Sequence, residues 1–188
     1  AELEDHSHPA WQRLKAEELL AQQLSQLMSR RERDRLRAPV LQSTGAATLA
    51  LHEQLLAVLP FQLTAAQRRV GDEIAADLAR PVPMHRLLQG DVGSGKTVVA
   101  ALAATLCIDA GWQCALMAPT EILAEQHFRK LIGWLEPLLE PRGLKVAWLF
   151  GGQKKKERDA MLALVESGQA ALVVGTHAII QERVVFKN

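Results

Sequence analysis

The chain has 188 residues, 48% of them hydrophobic and 23% charged, with a formal net charge of +1 at pH 7. That composition suits a globular core and excludes a global electrostatic attraction to nucleic acid, so any basic binding surface must be local. No apolar run reaches the roughly 20 residues of a membrane span, and the acidic opening Ala1–His6 carries no signal-peptide core, which leads to a cytoplasmic expectation.

The first sixty residues contain no strand signal. Ser7 is placed to cap a helix that Pro9 opens, because proline is tolerated in a first turn. Leu20, Leu24, Leu27 and Met28 recur at helical spacing, and Leu19 widens the stripe. The helix runs into Arg30–Arg37, five arginines tempered by two acids: an interdomain salt-bridge helix or a track for duplex phosphates. Pro39, Ser43, Thr44 and Gly45 read as a linker. A second amphipathic helix carries Leu51, Leu55, Leu56 and Leu59 on one side and ends at Pro60. Residues 1–60 are therefore expected to be a helical arm whose apolar stripes pack on a neighbouring domain.

From residue 61 to residue 188 the pattern becomes alternating helix and strand. Thr64-Ala65-Ala66-Gln67 is a capping box, opening a helix with Val70, Ile74 and Leu78 inward. Met84–Gln89 predicts a short strand, and Val98–Leu106 an apolar helix for which Gly111 suits the C-terminal end. Strands are predicted at Gln113–Met117, Lys145–Leu149 and Ala170–Val174, with helices over Glu121–Leu135 and Lys154–Glu166. Four apolar strands separated by helices argue for a parallel sheet covered on both faces. Cys107 and Cys114 lie in apolar stretches without metal-ligand spacing and read as reduced, buried thiols. Trp11, Trp112, Trp134 and Trp148 are too scattered for a base-stacking platform, and packing is the default for each.

The most specific feature is Gly90-Asp91-Val92-Gly93-Ser94-Gly95-Lys96-Thr97, a complete phosphate-binding P-loop. A chance match to its fixed positions is on the order of 1% in a chain this long. Its glycines let backbone N–H groups curl around phosphate oxygens, and the following helix N-terminus adds partial positive charge. Lys96 then reaches the β- and γ-phosphates, while Thr97 offers its hydroxyl to Mg²⁺. Asp91, Val92 and Ser94 contribute mainly backbone. ATP with Mg²⁺ is the cofactor expected, and Lys96 and Thr97 are the candidate catalytic residues.

Further segments resemble the motifs of superfamily-two helicases. Ala118–His127 is similar to their motif Ia, Gly175-Thr176-His177-Ala178 to the motif after it, and Phe61–Gln67 to the glutamine motif ahead of the P-loop. Within that superfamily, Leu59-Pro60-Phe61, the P-loop itself, Gly175–Glu182 and the linker-like His8–Leu14 are similar to the bacterial branched-DNA helicases. The resemblance implies a helical arm followed by a partial RecA-like P-loop NTPase domain with a parallel sheet. It implies adenine recognition by Gln67, for which the capping box is a rival role, and DNA-backbone contact through Pro119, Thr120, Thr176 and His177. Thr120 and Thr176 could equally be plain helix caps. Gly151 and Gly152, followed by Lys154–Lys156, are further candidates for DNA phosphate, although three lysines opening a helix also suit a solvated face. His127 reads as a structural hydrogen-bonding residue, as His177 also could.

The resemblance further implies an ATP-dependent motor that remodels replication forks and four-way junctions in repair and recombination, with branched duplex DNA as its partner. The Asp-Glu-x-His segment of such motors does not occur in the sequence, and no initiator methionine opens it. The chain is thus expected to be the arm plus the first part of motor domain one. Its wedge and second motor domains would lie elsewhere in the same protein, and the isolated chain would bind nucleotide without hydrolysing it. Alternatives are a transcription-repair coupling translocase, which usually has phenylalanine where Ser94 stands, another P-loop enzyme, and a non-catalytic nucleotide-binding module.

Overall fold

A computed structural model describes residues 8–42, 50–181 and 183–187. Ser7, Ser43, Thr44, Gly45 and Glu182 lie outside the described residues. The chain divides into two compact units, Ala1–Val40 with Arg80–His85, and Leu41–Ala79 with Arg86–Asn188. This division differs from the boundary after residue 60 read from the sequence.

In the first unit a single helix, α1, runs from Pro9 to Arg35. His8 stands at its N-cap, where the ring accepts from the Ala10 N–H at 3.2 Å, and Pro9 needs no partner in the first turn. Arg33 and Arg35 sit in the last turn, where positive charge opposes the carbonyl end of the helix dipole. Leu20, Leu24 and Leu27 are 50–59% exposed, so the stripe finds no cover within its own unit.

The second unit is built on a three-stranded parallel sheet of β1 (Cys114–Met117), β2 (Lys145–Leu149) and β3 (Ala170–Gly175), in the order β1-β3-β2. β3 is central and every one of its residues is buried. Leu172 and Val174 face the larger core with Val146, whereas Val173 turns the other way with Ala147 and Leu149, as the two-residue period of a strand requires. The larger core is closed by α2 (Leu51–Val58), α3 (Ala65–Leu78), α4 (Lys96–Asp109) and α5 (Glu121–Leu139). The smaller core is closed by α6 (Lys155–Glu166) through Val165, and by Ile179 in the short turn of helix after β3. This is the α/β arrangement expected of a RecA-like domain.

Two local expectations change. Met84–Gln89 forms no ladder, because a strand needs a neighbour and none lies beside it among the described residues. Leu87 is accordingly 87% exposed. Arg86 instead ties this lead-in to α3, reaching Asp77 and Glu73 at 2.7 Å each. Its pKa is raised mainly by the hydrogen bond to Asp77.

The second change concerns α2, which belongs to the second unit: Leu51 and Leu55 are fully buried against α4 and α5. Ala50 cannot cap this helix, so Asp109 at the end of α4 does so, accepting from the Leu51 and His52 N–H groups at 3.0 and 3.2 Å. The cysteines are free thiols. A hydrogen bond between them lowers the pKa of Cys107 and raises that of Cys114, which burial raises further.

The leucines of α5 should dominate stability. Leu135 is 0% exposed, and Leu135→Ala is expected to cost about 2–5 kcal/mol in urea denaturation. Leu24→Ala on the exposed stripe of α1 should stay within about 0.5 kcal/mol.

Candidate functional site

The P-loop leads directly into α4, and its shape follows from its glycines. Gly93 and Gly95 both adopt φ of 83°, a left-handed conformation that side chains with a Cβ rarely take. A Cβ on Gly95 would also run into the Gln67 amide. Gly95 is the N-cap of α4 and offers no side-chain cap, so the first N–H groups of the helix keep their donor capacity for a ligand. Within the loop the Ser94 N–H donates to the Asp91 carbonyl at 3.1 Å. The Lys96 ammonium folds back over the loop and donates to the Gly90 and Asp91 carbonyls at 2.7 and 2.8 Å. Thr97, half-buried, places its hydroxyl 3.3 Å from Nδ1 of His127 on α5.

Gln67 is shared between two structures. Its Oε1 accepts from the Thr64 N–H at 2.9 Å while the Thr64 hydroxyl accepts from the Gln67 N–H at 3.2 Å, completing the capping box. Its Nε2 donates to the Ser94 carbonyl at 2.9 Å, which is the P-loop itself. One side chain therefore both completes the α3 cap and ties it to the P-loop. A cavity of about 560 Å³ opens here, lined among others by Phe61, Gln67, Lys96, Thr97, Lys130 and Trp134. Its volume lies in the usual range for small-ligand sites. Phe61 and Trp134 meet edge to face in its wall, with ring centroids 6.3 Å apart.

Lys130 was not singled out by sequence reasoning, and Trp134 was assigned to packing. The available signal was the helical spacing of His127, Lys130 and Trp134, which share one side of α5. That side gains meaning only once α5 is known to lie beside the P-loop.

This donor set fits a Mg²⁺-nucleotide: uncapped helix amides and a lysine for phosphate, a hydroxyl oxygen for the metal, and an apolar, aromatic wall for a base. Among the described residues no group of three or more His, Cys, Asp or Glu could hold a metal ion. The Thr97 hydroxyl is therefore the candidate protein ligand at the phosphate end.

The other candidate residues gather at one edge of the sheet. Because the strands are parallel, Pro119–Thr120, Gly151–Gly152 and Thr176–His177 all follow the C-terminal ends of strands, the edge where open α/β sheets bind ligands. The Ala118 N–H donates to the Gly175 carbonyl at 2.8 Å and the Thr176 N–H to the Leu149 carbonyl at 3.2 Å, so the end of β3 links the other two. Gly175 is required here, since a Cβ would collide with the Leu149 carbonyl. Pro119, Thr120, Gly151, Gly152 and His177 are exposed. Thr120 caps α5, accepting from the Leu123 N–H at 3.3 Å. The Glu121 carboxylate accepts from the Gly152 N–H at 3.3 Å, joining two of the loops. Thr176 is only 3% exposed, and its hydroxyl has no hydrogen-bond partner among the described residues. It supports the edge from beneath, and His177 is the member of the pair that faces solvent.

Comparison with known proteins gives this geometry a context. A family model described as DEAD/DEAH box helicase matches residues 64–188. Over 188 residues the chain is 53% identical to a protein of Escherichia coli O157:H7 named ATP-dependent DNA helicase RecG, covering 100% of this chain and 26% of that relative. A protein of the same name from Haemophilus influenzae is 49% identical over 187 residues, covering 99% and 26%. A solved structure of RecG bound to a three-way DNA junction superposes with a TM-score of 0.77 at 42% identity, covering 94% of this chain and 23% of that one. The chain thus spans about a quarter of the length of these relatives.

Gln67 ties the α3 cap to the P-loop without any ligand. Gln67→Ala should therefore lower stability by about 1–3 kcal/mol in urea denaturation performed without nucleotide. Unchanged stability would mean that neither bond contributes in solution.

Proposed function

Because the chain belongs to the DEAD/DEAH box helicase family, whose members use ATP, we propose that it binds ATP with Mg²⁺ in the cavity at the P-loop. We further propose that it serves a whole protein that remodels replication forks and four-way junctions. The observation that carries this reading is the uncapped N-terminus of α4, with Lys96, Thr97 and Gln67 converging on one cavity.

Each residue has a task the geometry supports. The loop amides and the first amides of α4 receive phosphate oxygens, where the helix dipole favours negative charge. Lys96 leaves the Gly90 and Asp91 carbonyls for the terminal phosphates, exchanging two neutral acceptors for charged ones. The Thr97 hydroxyl is the protein ligand for Mg²⁺. Mg²⁺-ATP, when bound, would supply a γ-phosphoryl group whose transfer to water, with ADP leaving as the phosphoanhydride bond breaks, releases the free energy for movement in the whole protein. While bonded to Thr64 and Ser94, Gln67 keeps a second Nε2 hydrogen and a second Oε1 lone pair that it would offer to the adenine edge, which couples base recognition to the shape of the loop. Phe61 and Trp134 offer the base an apolar wall.

The strand-end edge is the proposed DNA surface. Thr120, Gly151 and His177 would turn their backbone N–H groups to phosphate, with Pro119 and Gly152 keeping the edge small, so contact there needs no net positive charge on the chain. The similar solved RecG structure holds a three-way DNA junction, and branched duplex DNA is the partner proposed for this chain. We assign residues 1–60 the part of a helical linker whose last helix, α2, packs into the second unit, and residues 61–188 that of motor domain one, with the wedge and second motor domains as their partners in the whole protein. A cytoplasmic location agrees with DNA as substrate.

The test is Lys96→Ala in the full-length protein. ATP turnover should fall by at least about a hundredfold, with and without branched DNA, while junction binding measured by gel shift is retained. Turnover within a factor of about ten of wild type would show that this loop is not the catalytic phosphate site.

A further inference from the structure

The hydroxyl of Thr97 has one proton and has to direct it somewhere. Bonded to a metal it donates an oxygen lone pair, so the proton must point away from the metal. Nδ1 of His127 lies 3.3 Å from that oxygen. Taking the contact as a hydrogen bond, and resting on the nucleotide reading above, we propose that His127 is a positioning residue for the metal-binding hydroxyl. With its own proton on Nε2, the ring accepts the Thr97 O–H and leaves a lone pair aimed at the phosphate side of the cavity. A ligand-orienting hydrogen bond of this kind tunes a metal site without touching the metal.

Both partners are held by the core, which is why the contact is built in rather than incidental. Thr97 precedes Val98 and Val99, which are 1% and 3% exposed. His127 lies between Ala124 and Leu131, which are 0% and 1% exposed, on a helix further anchored by Leu135 and Leu139. The ring stands beside a buried stripe on a rigid element and has little freedom to wander. α5 also contributes Lys130 and Trp134 to the cavity. It therefore forms one wall of the nucleotide site, although its sequence lies wholly outside the P-loop.

A role confined to tying α4 to α5 makes different predictions, and binding in the presence and absence of metal separates the two. The probe is a fluorescent ADP derivative, with energy transfer from Trp134 as the signal, titrated into the full chain with Mg²⁺ and with EDTA. Wild type should bind more tightly with Mg²⁺. His127→Ala should keep its affinity in EDTA within about twofold while losing about tenfold of the Mg²⁺-dependent gain. His127→Asn places an acceptor oxygen on Cγ where Nδ1 stood and should restore most of the gain, whereas His127→Gln should not.

A Mg²⁺ gain unchanged in His127→Ala overturns the proposal, as does an equal loss of affinity in both buffers, which marks a structural tie. If His127→Ala fails to fold, the Asn and Gln variants decide, and identical behaviour of the two overturns it. Wild type that binds no nucleotide in either buffer overturns the nucleotide reading itself, an outcome distinct from the others.

Discussion

Burial of β3 on both faces is the constraint from which the rest of the second unit follows. A strand with all six residues out of water must be hydrogen-bonded on both edges and covered above and below. β1 and β2 satisfy its edges, α5 and α6 satisfy its faces, and each connection must cross from one end of the sheet to the other. Parallel strands joined in this way deliver all their C-terminal turns to one side. Pro119–Thr120, Gly151–Gly152 and Thr176–His177 are neighbours for that reason, though as many as 58 residues separate them in the chain.

The cavity at the P-loop depends on a feature that folding would ordinarily avoid. A helix N-terminus without a side-chain cap leaves amides unsatisfied, and the left-handed glycines before it are favourable only because no Cβ is present. The surroundings compensate. Lys96 and Gln67 bond to carbonyls of the loop, and the buried residues of α4 fix the helix beneath it. Donors kept open at this point are what the proposed phosphate group would replace water for, so the same arrangement that weakens the empty loop would create its affinity.

α5 connects these two regions. Its N-terminal end is capped by Thr120 on the strand-end edge, and two turns later its side chains line the cavity at the P-loop. Its leucines are buried in the larger core, so it moves only if that core repacks. A rigid element with one end at a candidate DNA edge and its middle at the proposed metal-binding hydroxyl is a physical route that would connect the two sites.

What the sequence determined by itself was whatever depends on residues close along the chain. The P-loop, the capping box of Thr64 and Gln67, the helical stripe of α1 and the glycine after α4 are all decided within a few residues. The steric freedom of glycine and the reach of a side chain to the next turn are local facts. Tertiary structure decided what depends on neighbours. Met84–Gln89 has strand-like residues but no partner beside it, so it stays outside the sheet. Leu51 and Leu55 were legible as an apolar stripe, yet only packing against α4 and α5 assigns α2 to the second unit. Thr176 could be recognised as a strand-end threonine, but not as buried. His127, Lys130 and Trp134 reach the P-loop because the fold brings α5 beside its C-terminal end, and no pattern within α5 contains that fact.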